Sequence, residues 1–83
     1  MEIKTYEARY NLVEFSLYIS PFQVTVLELL VDPDDDDDIN YLQTELSSIF
    51  AVETEKQTYV FSGYEVIECY EDDNGLIKVV CTK

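Results

Sequence analysis

Between Asp32 and Asp38 the chain reads Asp-Pro-Asp-Asp-Asp-Asp-Asp, six carboxylates in seven residues. None of these charges can be buried without a partner, and they repel one another, so the segment must lie at the surface. It therefore divides the chain. The residues before it alternate with the period of a strand, and those after it begin with the period of a helix.

Before the run, Tyr6, Ala8 and Tyr10 alternate with Glu7 and Arg9. Further on, Val13, Phe15, Leu17 and Ile19 form a uniformly apolar set opposite Leu12, Glu14, Ser16 and Tyr18. Period two with aromatic and β-branched residues means strand. Ile3–Ile19 reads as one long strand bent near Asn11, because Arg9-Tyr10-Asn11-Leu12 lacks the glycine of a tight turn; two short strands are the alternative. Pro21 ends it, and Gln23–Val31 forms the next strand, apolar on both faces as a central strand is. The two pair as an antiparallel hairpin.

After the run, Ile39, Leu42, Leu46, Ile49 and Phe50 follow helical spacing, predicting a helix over Ile39–Ala51 capped by Asp36, Asp37 or Asp38. Its apolar face, Leu42, Leu46 and Ile49, should pack on the sheet. Val52–Gln57 is polar and reads as a loop. Thr58–Phe61 is a short strand, turned at Ser62-Gly63, and Tyr64–Glu71 and Leu76–Thr82 are the last two. Between these, a turn at Asp73-Asn74 with Gly75 left-handed pairs Asp72 with Leu76 and Cys69 with Val79. That register puts Ile67, Cys69, Ile77, Val79 and Cys81 on one apolar face, with Glu68, Tyr70 and Lys78 outside. The expectation is one α+β domain spanning residues 1–83. It is an antiparallel, bent sheet of about five strands with one helix against it, in the order β-β-α-β-β-β.

Charge and composition narrow the function. Five Lys and Arg against 18 Asp and Glu leave a net charge of −13. Direct binding to nucleic acid or to an anionic membrane is disfavoured, and a basic partner is indicated. At 47% hydrophobic residues the chain is too apolar to be disordered. There is no histidine, so the commonest general base is missing, and Cys69 and Cys81 form no metal motif. They read as reduced thiols packed as small apolar groups. The reading is non-catalytic, with no cofactor and no metal site. Met1-Glu2-Ile3-Lys4 does not begin a signal peptide and no apolar run approaches a membrane span, so a cytoplasmic location is expected.

Three chemistries fit the carboxylates. Calcium binding fails in either loop register: starting at Asp34 puts Ile39 where the loop needs glycine, and starting at Asp32 puts Gln43 where it needs glutamate. Acid–base catalysis by a carboxylate pair needs a cleft that 83 residues hardly build. The third is occupation of a basic nucleic-acid-binding surface, in which spread carboxylates stand in for phosphates. Its candidate residues are Asp32, Asp34, Asp35, Asp36, Asp37 and Asp38, the hairpin acids Glu68, Glu71, Asp72 and Asp73, and the aromatic anchors Tyr41 and Tyr70.

In size, acidity and lack of catalytic residues, the chain resembles the small anti-defence proteins of phages and mobile elements. These are the anti-restriction and anti-CRISPR inhibitors, some of which mimic DNA. It is similar in the same respects to acidic immunity proteins that neutralise nuclease toxins. No motif carries the resemblance, so it assigns no residue a role. It implies an inhibitor of a nuclease or defence complex, acting in the host cytoplasm if phage-encoded. A phage structural or assembly protein is the further alternative.

Overall fold

The computed structural model describes residues 1–83. The chain forms β1 (Glu2–Lys4), β2 (Arg9–Ile19), β3 (Thr25–Asp32), α1 (Ile39–Leu46), β4 (Phe50–Glu53), β5 (Thr58–Phe61), β6 (Glu65–Glu71) and β7 (Ile77–Thr82). All seven strands belong to one antiparallel sheet in the order β5-β4-β1-β2-β3-β7-β6. The expected sheet of about five strands in the order β-β-α-β-β-β is therefore wrong: the fold is mostly sheet, with a single short helix.

Two local causes account for the extra strands. Ile3–Ile19 is two strands, and the turn lies at Thr5–Ala8 rather than near Asn11. The turn needs no glycine because Thr5 builds it with its own side chain. Its amide donates to the Ala8 carbonyl at 2.9 Å, and its hydroxyl accepts from the Ala8 amide at 3.0 Å. The same hydroxyl also lies 2.8 Å from the Glu45 carboxylate on α1, and Thr5 is buried. The second cause is the early end of the helix. Ser47 caps it after eight residues, and Phe50–Glu53, read as helix end and loop, is β4. There Phe50 and Val52 are buried by strand alternation, while Ile49 is 60% exposed instead of packing on the sheet.

The predicted register of the last hairpin holds. Cys69 pairs with Val79, and the Asp72 amide donates to the Leu76 carbonyl at 2.7 Å. Gly75 takes a φ of +79°, a left-handed conformation that this three-residue loop requires. A bulge between Val66 and Glu68 then shifts the phase, so Val66 rather than Ile67 opposes Cys81, and Ile67 is exposed.

The connection from β5 to β6 shapes the whole sheet. These are its two outermost strands, yet only Ser62, Gly63 and Tyr64 lie between them. In a flat sheet the outer strands would stand roughly 29 Å apart at ~4.8 Å per strand. Four residue steps reach at most about 14 Å. The sheet must roll until its rims approach. Accordingly, Phe15 of β2 meets Tyr59 of β5 at 5.5 Å between ring centroids, although β1 and β4 lie between those strands. Phe61 and Tyr64 stack edge-to-face at 5.7 Å where the link passes.

Inside the roll lies the core. Ile3, Tyr10, Leu12, Leu27, Leu29, Val31, Val52, Ile77, Val79 and Cys81 line it, and Leu42 and Leu46 of α1 enter from one end. The helix crosses the mouth where β3 finishes, tied to the β1–β2 turn through Thr5–Glu45 and by the Tyr41 hydroxyl donating to Glu7. No helix is long and apolar enough to cross a membrane.

Candidate interaction surface

The antiparallel register decides where the acidic groups fall. Val31 of β3 is opposite Ile77 of β7, so Asp32 ends its strand beside Leu76 and the tip of the β6–β7 hairpin. Asp32–Asp38 and Glu71–Asp73 therefore share one end of the sheet, although about 35 residues separate them in sequence. Glu68 and Tyr70 lie on the outer face of β6, Tyr70 opposite Lys78 and Glu68 opposite Val80. Tyr41 stands on α1, half-exposed, at the same mouth of the roll, where its hydroxyl bond to Glu7 pushes its pKa up to about 12.

Within the run the aspartates do different work. Asp38 caps α1, accepting from the Asn40 amide at 2.8 Å. Asp37 accepts from the Asp34 amide at 2.8 Å and its own amide donates to the Asp34 carbonyl, a turn that presents the middle of the run outward. Asp34 meets Asn11 at 3.5 Å. Asp35 and Asp36 make no hydrogen bond and are exposed. At the hairpin tip Asp72 accepts from the amides of Asn74 and Leu76, both at 2.9 Å, which holds the turn. Asp73 is left pointing into solvent.

Two of the five Lys and Arg residues form salt bridges, neither with these carboxylates. Arg9 lies 3.2 Å from Glu2 and 2.7 Å from Glu53, and Lys78 lies 3.2 Å from Glu28 on the outer face. The Tyr18 hydroxyl and Lys78 together hold the Glu28 carboxyl below its usual range. No salt bridge reaches Asp32–Asp38 or Glu71–Asp73. No three of these side chains converge so as to hold a metal ion. The largest depression, about 400 Å³, is lined by the consecutive residues Lys4–Arg9 of one turn and is not an enclosed cleft. Cys69 and Cys81 are free thiols, and burial pushes the Cys81 pKa up to about 11 and raises that of Cys69, which favours the unreactive protonated form.

A second surface is apolar. Leu17 and Ile19, read as part of the uniformly apolar set, are 51% and 72% exposed, and Phe22 at the β2–β3 turn is 88% exposed. β1 is too short to cover them, since its ladder with β2 ends at Asn11. One signal in the sequence marks this region: from Tyr10 to Leu27 the only charged residue is Glu14, in a chain that is 28% charged.

No protein-family model matches the chain, and no characterised protein or solved structure shows significant similarity to it.

Proposed function

We propose that the protein is a non-catalytic acidic inhibitor that occupies the basic nucleic-acid-binding surface of a nuclease or defence complex, in the cytoplasm of the cell where that complex works. One observation carries this reading. The fold gathers Asp32–Asp38 and Glu71–Asp73 at one end of the sheet and pairs none of them with a cation. Carboxylates spread over such a surface can replace phosphates in a groove lined with Lys and Arg, releasing counterions from both partners and steering fast encounter. Tyr41 and Tyr70 flank that end as aromatic anchors. An immunity protein against a nuclease toxin would use the same carboxylates, and the identity of the captured partner separates the two.

The test is a capture from host lysate followed by competition. The captured protein is loaded with labelled DNA or RNA, and the inhibitor is titrated in at increasing salt. Stoichiometric displacement that weakens steeply with salt is expected, with further weakening in a variant carrying Asp35→Asn, Asp36→Asn, Glu71→Gln and Asp73→Asn. A partner that binds both ligands at once, or an affinity flat in salt, refutes the proposal.

A further inference from the structure

The free length of β2 offers a second binding surface, of opposite character to the acidic end. The Ser20 amide donates to the Val24 carbonyl, which fixes the phase of the β2–β3 ladder. Alternation then directs the amide and carbonyl groups of Tyr18, Ser16 and Glu14 towards β3, and those of Phe15, Leu17 and Ile19 away from it. On that other side β1 reaches no further than Met1, whose carbonyl accepts from the Leu12 amide. Three donors and three acceptors therefore face outward along an open strand edge.

Proteins blunt such edges with charges, prolines or bulges. Here the bulge between Leu12 and Glu14 and the Glu14 carboxylate guard only the start. Phe15–Ile19 carries neither charge nor proline, and Leu17 and Ile19, which share the outward-bonding positions with Phe15, are exposed and apolar.

We infer that this edge pairs with the same edge of a second copy of the chain, antiparallel about a two-fold axis near Leu17, joining two rolled sheets into one. Charge selects the occupant. At −13 per chain, two copies repel one another over most of their surface, and the segment Tyr10–Leu27, with Glu14 as its only charge, is where they can meet. A basic partner drawn by charge would choose the opposite end. Antiparallel pairing is also self-complementary, as a two-fold interface must be. It directs each Glu14 towards the turn at the partner's Ser20 and away from the partner's Glu14, and it lays Leu17 against the partner's Leu17 and Ile19 against the partner's Phe15. Such a dimer is independent of the proposed inhibitor function and uses different residues.

Sedimentation of the full chain from micromolar to millimolar concentration, at low and high salt, tests it. A species of twice the 9.7 kDa chain mass is expected. Salt should strengthen it by screening the mutual repulsion, the reverse of its effect on the acidic end. Leu17→Lys and Ile19→Lys should each abolish the dimer while the far-ultraviolet circular dichroism and thermal transition stay those of the parent. Both substitutions lower the net negative charge, so a merely charge-limited association would grow stronger in them. Ile19 is sufficiently exposed for its variant to fold even if Leu17→Lys does not. A chain that stays monomeric throughout, a dimer that salt dissolves, or a dimer unchanged by Ile19→Lys overturns the inference.

Discussion

Gln23 holds a φ of +62°, a left-handed conformation that side chains avoid. It occupies the same place in the β2–β3 turn that Gly75 occupies in the β6–β7 turn: both close a three-residue loop. Gln23→Gly should therefore stabilise the protein by up to about 1 kcal/mol, offset in part by the greater freedom of glycine when unfolded. Urea unfolding would measure it as a higher midpoint at unchanged slope. At this scale the sequence was unevenly legible. Asn74-Gly75 announces its turn because glycine is the usual residue for that conformation. Gln23 hides the same geometry, and Thr5 hides a turn because a hydroxyl substitutes for the expected glycine or proline.

At the scale of elements, the aspartate run separates into a structural part and a free part. Asp38 caps α1, and Asp34 and Asp37 shape the turn before it, whereas Asp35 and Asp36 serve nothing within the fold. Asp38→Ala should cost about 0.5–2 kcal/mol. Asp35→Asn with Asp36→Asn should leave stability unchanged or raise it, since two repelling charges go and no hydrogen bond is lost. Parallel denaturation curves would show the split, and equal losses in both variants would contradict it. The sequence located the cap within three residues because carboxylates before an apolar period of 3.6 have few other uses. It overran the end of α1 because Ile49 and Phe50 continue that period by coincidence, while the burial of Phe50 and Val52 belongs to a strand. Strand periodicity likewise foresaw apolar faces on β2 but not their exposure. Period two says which residues share a face, and only the length of the neighbouring strand says whether that face is covered.

Over the whole molecule, the balance of charge works against compactness. Three salt bridges engage Glu2, Glu28 and Glu53, leaving 15 of the 18 carboxylates without a cation within bridging distance. Added sodium chloride should raise the thermal midpoint steadily through the range in which the Debye length falls from about 30 Å to about 8 Å. A midpoint insensitive to salt over that range would mean that the carboxylates lie too far apart for their repulsion to matter. Sheet order was the least legible property at this scale. Local signals mark strands and turns, but nothing local reveals that β4–β5 joins beside β1 while β6–β7 joins beside β3.

That order has a consequence in time. The strands made first, β1 to β3, become the middle of the sheet, and the two later hairpins become its rims. A chain leaving the ribosome thus builds from the centre outward, and the roll shuts only when Phe61 and Glu65 are both in place. Until then the β1 and β3 edges of the early strands stand open alongside that of β2, the condition in which neighbouring nascent chains join wrongly. The aspartates after β3 emerge before either rim does. They charge the half-made sheet strongly during the interval in which it has most to fear from its own copies.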